Sequence, residues 1–172
     1  MKNITDIAKF MYGDTNSDEG FWYSHVLYSI EGLSEEQLFW VPDKNNLCLL
    51  WHVGHIAHRE RLHIGKLLQG IKDDLIPEKY EVFGAEWKSV DEVKESIDSC
   101  ENVKKWVKEV RSESQKYIST LEDSDLTRVK ETTEFNMSIG HWLFITASHT
   151  ALHIGKIQLL RAMMEKDIDS PC

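Results

Sequence analysis

Eight histidines stand in this chain of 172 residues, and six of them fall in two short segments, at 52–63 and 149–153. Neutral imidazoles are the commonest side-chain ligands for divalent transition metals, each nitrogen sitting about 2.0–2.1 Å from the ion. His149 and His153 are four residues apart. On a helix that spacing puts both rings on one face, with β-carbons roughly 5–6 Å apart, close enough to share one ion. They also lie on an apolar stripe. Trp142, Ile145, His149, Leu152, His153, Ile157, Leu160 and Met164 recur at helical steps, tracing the face that a bundle helix turns inward.

A third imidazole would come from the earlier segment, where the inward stripe reads Leu47, Trp51, His55, His58 and Leu62, with the small Gly54 alongside. His55 lies nearest its centre, and His58 is the competing ligand. Three neutral nitrogens would leave coordination positions open for water or substrate, as in catalytic rather than structural sites. His25, His52, His63 and His141 are read as surface, supporting or cavity-wall residues. The alternative for any one of these histidines is a hydrogen-bonded core residue. Glu60, one turn beyond His55, reads as a solvated helix glutamate, with proton acceptance as the other possibility, and Trp51 and Trp142 read as core. The chain has no HExxH, no pair of ExxH motifs, no glycine-rich phosphate loop and no GxSxG elbow.

The elements that would position these residues are helices. A short one ends near Gly13, and Asn16, Ser17 and Asp18 offer caps for another from Glu19 to Glu31, which Gly32 would stop. Ser34 to Gln37 is a capping box for a brief turn, and a long helix spans Leu47 to Leu68 with Gly70 beyond it. Residues 71–88 read as a connection with an extra turn. Ser89 to Glu92 is a second capping box, opening a periodic helix from Glu92 to Leu121. Asp123 to Asn136 is a polar connection with room for a short extended piece. Ser138 caps the last helix, which runs to about Glu165. Four long amphipathic helices make an all-α, antiparallel four-helix bundle in one domain over residues 1–172. A weak repeat, Leu62 to Lys66 against Leu152 to Lys156, loses register at its flanks and is set aside as chance.

Composition narrows the rest. Hydrophobic residues make up 41% and charged ones 28%, an ordinary globular balance, and six tryptophans supply large core anchors. The net charge of −9 disfavours nucleic acid and anionic membrane surfaces, which need a basic face. The longest apolar stretch, Trp142 to Leu160, contains His149, His153 and Lys156, so it is not a membrane span. The N-terminus carries no apolar run of signal-peptide length. Cys48, Cys100 and Cys172 are three, widely spaced and outside any CxxC, which reads as reduced thiols in a cytoplasmic protein.

Trp51 to Glu60 (WHVGHIAHRE), with Ser148 to Ile157 (SHTALHIGKI), resembles the DinB-like (YfiT-like) superfamily of metalloenzymes, and Gly32 to Pro42 looks like that family's linker before its second helix. The resemblance implies an up-down-down-up bundle, often a homodimer, with a three-histidine site for one divalent ion such as nickel or zinc. It selects His55 over His58 and pairs it with His149 and His153. Lys156 stands where the family commonly has glutamine, and Thr150 where it commonly has an acid. Similar proteins include S-transferases that use a low-molecular-weight thiol, bacillithiol or mycothiol, and a mycothiol-dependent isomerase. The resemblance therefore implies a metal-dependent thiol transferase acting on a small electrophile. A metal-dependent hydrolase, and a non-catalytic bundle acting in binding or dimerisation, are the alternatives.

Overall fold

The computed structural model describes residues 4–13, 26–72, 75–131 and 135–169. It is all-α apart from one short hairpin. The helices are α1 (Ile4–Tyr12), α2 (Glu35–Leu38), α3 (Leu49–Glu60), α4 (Val90–Ser96), α5 (Cys100–Ser119), α6 (Asp123–Leu126) and α7 (Ile139–Asp169). Val26–Ile30 and Glu78–Phe83 are 3₁₀ turns, and α3 continues without a break into a π-helical stretch over Arg61–Leu68.

Side-chain pairs give the directions of the four long elements. His52 meets His153, His55 meets His149 and His63 meets Thr146, so α3 and α7 run antiparallel. Thr5 bonds Asp123 and Tyr12 bonds Gln115, so α1 and α5 are antiparallel too. The ring of Phe83 lies against Gly54 and also stacks near Trp106, while Glu60 pairs with Arg111, so α3 and α5 run parallel. Up-down-down-up follows. Parallel neighbours cannot be joined by a tight turn, and the chain must travel back along the bundle between them. Residues 69–99 make that crossover, carrying the Glu78–Phe83 turn and α4.

Local chemistry explains most boundaries. Gly13, Gly32 and Gly70 have positive φ, the left-handed backbone that ends a helix at little steric cost in glycine. Ser34 with Gln37, and Ser89 with Glu92, form the two expected capping boxes. The single helix expected from Glu92 to Leu121 is broken instead. Ile97 is extended, and Ser99 caps a new helix by accepting from the Asn102 amide, while Asp98 holds both Lys79 and the Asn102 side chain. The polar connection after α5 holds α6 and the Val129–Lys130 strand, paired antiparallel with Met137–Ser138. Most of the helix expected from Glu19 to Glu31 lies outside the described residues, and its last turn is the Val26–Ile30 3₁₀ segment.

The expected stripe on α7 is partly wrong. Trp142, His153, Ile157, Leu160 and Met164 are buried, but Ile145 and Leu152 are exposed, as are Phe144 and Leu159. Thr146, Ala147, Thr150 and Ile154 take the inward places instead. An apolar residue one position off the seam keeps the periodicity while turning its side chain about 100° away, so spacing alone did not separate them. Among the described residues, no helix is long and apolar enough to cross a membrane.

Candidate metal centre

His55 sits in the middle of α3, His149 and His153 one turn apart on α7, and the antiparallel packing sets them face to face. Each offers a ring nitrogen, and these three atoms lie within 4.8 Å of one another, a group that could hold a metal ion. The His55 and His149 Nε2 atoms are 3.2 Å apart. Two nitrogens each bound at 2.0–2.1 Å in tetrahedral geometry would stand about 3.3 Å apart, so the spacing fits a shared ion.

Hydrogen bonds fix how the rings present themselves. His55 Nδ1 lies 2.8 Å from the Phe83 carbonyl and 3.0 Å from that of Gly84. Carbonyls only accept, so Nδ1 carries the proton and Nε2 presents a bare lone pair. Trp51 stacks on the same ring at 4.4 Å, and its indole N–H donates to the Val82 carbonyl at 3.0 Å. Three successive residues of the crossover thus clamp α3 at the site. This is the usual outer support of a ligating histidine, which settles the tautomer and the ring plane. His153 is held differently. Its Nδ1 lies 2.9 Å from Nδ1 of His52, so one ring donates to the other. Ligation through His153 Nε2 would put the proton on its Nδ1, donating to His52.

Burial is the largest influence on the titration of these rings. It pushes His52, His55 and His149 down to about 4 and His153 down to about 2. Arg59 adds to this at His55 and His149, and Lys156 at His52, His149 and His153. At neutral pH the imidazoles are therefore uncharged, the protonation state that metal ligation requires.

A cavity of about 420 Å³ opens beside the three rings, walled also by Trp51, Arg59, His63 and Lys156. His63 comes from the π-helical stretch. Its Nδ1 lies 3.0 Å from Thr146 Oγ1, and that hydroxyl already donates to the Trp142 carbonyl at 2.8 Å. The hydroxyl oxygen must accept from His63, which leaves His63 Nε2 without a proton. Burial holds this ring at about 4 as well.

The other histidines separate clearly. His58 turns away, its Nε2 3.3 Å from Glu81 in a neighbouring groove. His141 is exposed at the start of α7, bonded to Ser138. His25 lies outside the described residues. Glu60 is the larger surprise, because the expected solvated glutamate is only 1% exposed and pairs with Arg111 at 2.9 Å. The arginine lies over the ring of Tyr12. An isolated charge would not survive there, and the partner 51 residues further on was invisible to local spacing. Trp51 is both buried and a cavity wall; Trp142 is core, its ring 5.3 Å from that of His63.

The sequence profile of the DinB superfamily matches residues 23–157, most of the chain. The chain belongs to the DinB superfamily. No curated protein matches it. The match spans α3 and most of α7, so the site of this DinB-superfamily protein is built wholly within the family's shared region. The sequence reads His52 and His63 as surface, supporting or cavity-wall residues. The former is reached by His153 from across the bundle, and the latter is carried round to the cavity where the helix widens after Glu60. Extra residues per turn rotate the following side chains, and such bulges recur at functional sites.

Proposed function

We propose that this protein is a metal-dependent transferase that joins a low-molecular-weight thiol to a small electrophile. The observation that carries the reading is the set of three uncharged imidazoles from His55, His149 and His153, converging beside an open cavity. A divalent ion held there, nickel or zinc being suited to imidazole, supplies a Lewis-acid position that lowers the pKa of an incoming thiol. The chain's own residues do the rest. The Phe83 and Gly84 carbonyls and His52 keep two rings oriented, Trp51 walls off water on one side, and the thiol proton leaves to solvent through the open cavity. The sulfur then forms its bond to the electrophilic carbon, and the leaving group departs with its electron pair. Burial holds the Cys48 and Cys100 thiols up at about 11, so neither suits the role of nucleophile, which favours an external thiol.

Hydrolysis, with water in place of the thiol, uses the same residues. Elemental analysis of untagged protein should give about one equivalent of metal, lost in His149→Ala. The loaded protein should then consume a simple thiol with a chlorobimane electrophile faster than it cleaves simple esters. Metal-free protein whose His149→Ala and His153→Ala variants are fully stable would sink the enzyme reading. The homodimer implied by the resemblance would have the exposed face of α7 available, through Ile145, Leu152 and Leu159. Sedimentation of Leu152→Glu against the parent, expected to show loss of the dimer, tests that proposal.

A further inference from the structure

The walls of the histidine cavity carry a charge pattern unlike the rest of the molecule. The chain as a whole has a net charge of −9, yet among the described residues no aspartate or glutamate lines this cavity, and two cations do: Arg59 and Lys156. Neither has a carboxylate within ion-pairing distance among the described residues, although eight lysine or arginine pairs with carboxylates occur elsewhere among them.

Their placement follows from the fold. Arg59 lies one turn beyond His55 on α3, and Lys156 one turn beyond His153 on α7. Because α3 and α7 run antiparallel, those two steps go in opposite directions along the bundle. The cations therefore flank the imidazoles at either end, their backbones about 15 Å apart along the axis by helical rise. Long side chains from both can reach towards the centre. Arg59 also borders the neighbouring groove, which holds Glu78, Glu81, Glu86, Glu92 and Glu95. Three of those acids are occupied: Glu81 by His58, Glu86 by Lys88, and Glu92 by the Ser89 cap and Lys88.

We propose that Arg59 and Lys156 form an anion subsite, so that the substrate of this centre is a small organic acid bearing carboxylate or phosphate. Opposite charges at the mouth of an open cavity attract more strongly than in bulk water, and they concentrate anions that the acidic surface would repel. Held between the cations, such a molecule has its neutral part against Trp51 and its reacting atom beside the imidazoles.

The thiol arm of the test rests on the transferase reading; the phosphate arm does not. In cobalt-loaded protein the sulfur-to-metal absorption band reports binding of three thiols of similar size: thioglycolate, 2-mercaptoethanol and cysteamine. Affinity should fall in that order, by about tenfold between the anion and the neutral thiol. Arg59→Gln and Lys156→Gln should each weaken the preference about threefold, and the double variant should abolish it with an unchanged melting temperature. A preference that persists in the double variant would be simple chelation by thioglycolate, and would overturn the subsite. So would equal affinities in the parent. If the protein takes up no cobalt, the metal reading fails by itself. The subsite is then decided in metal-free protein by tryptophan fluorescence on titration with inorganic phosphate, the Trp51 share being the part that Trp51→Phe removes. A saturable change, lost in the double variant, supports it; no change, or one the double variant keeps, overturns it.

Discussion

Gly54 and Phe83 are packed so closely that a β-carbon added to Gly54 would stand 2.5 Å from the Phe83 ring. That ring is fully buried, and the carbonyl of the same residue holds His55 Nδ1. A bare α-carbon on α3 is thus what lets the crossover settle near enough to orient a candidate ligand.

Gly54→Ala should therefore destabilise the protein by about 1–3 kcal/mol, as overpacked cores do. Helix propensity alone would give the opposite sign, since alanine in a helix interior is favoured over glycine by about 1 kcal/mol. Metal affinity should fall about 10–100-fold as the support of His55 moves. Urea unfolding and chelator competition measure the two effects. An alanine variant as stable as the parent would show that Phe83 moves aside without consequence.

His52 and His58 are both buried on α3, but only His52 touches the site. His52→Leu removes the partner of His153 Nδ1 and should weaken metal binding about 10–100-fold. His58→Leu breaks only the contact with Glu81 and should leave affinity within about twofold. Reversal of that order in a chelator titration would mean that His58, not His55, is the ligand from α3.

Metal-free protein should lose stability as pH falls from 6.5 towards 4. The folded state holds His52, His55, His63 and His149 near 4, and His153 near 2, all below the ordinary imidazole value of 6.5. Above 6.5 neither state binds these protons and the contribution is whole. Below it the unfolded chain takes them up while the folded chain does not, and each excess proton removes about 1.4 kcal/mol per pH unit. Urea midpoints between pH 7.5 and 4.5, with chelator present, should slope accordingly. The His149→Ala, His153→Ala double variant should show a shallower slope, and an equal slope would argue that these rings are not desolvated.

Glu60 and Arg111 should behave as a unit. Arg111→Met leaves a buried carboxylate unpaired and should cost about 3–5 kcal/mol, whereas Glu60→Leu with Arg111→Met should recover most of it. Both Glu60 Oε1 and Arg111 Nε are without hydrogen-bond partners even in the intact pair, so its replacement by apolar groups removes little. A double variant no more stable than the single one would show that the charge pair contributes through contacts beyond itself, such as the Tyr12 ring.

Much of this was legible in the chain itself. Helix class, both capping boxes, the glycine stops, and the His149–His153 pair all follow from local periodicity, and local periodicity is what neighbouring residues along a chain can record. The break at Ile97–Ser99 was written too, in Asp98, Ser99 and Asn102, but the apolar rhythm of the segment masked it.

What the tertiary structure alone decided lies in pairs distant along the chain. His55 was singled out by resemblance and stripe position, but the carbonyls that orient it come from residues 83 and 84, brought there by a crossover that parallel α3 and α5 require. His52 meets His153 across 101 positions, and Arg111 reaches Glu60 across 51. Arg59 and Lys156 share one cavity only because their helices are antiparallel. Spacing along one helix states which residues share a face. Which faces meet, and at what level, is set by packing over the whole bundle, where the energy of each contact depends on the placement of all the others.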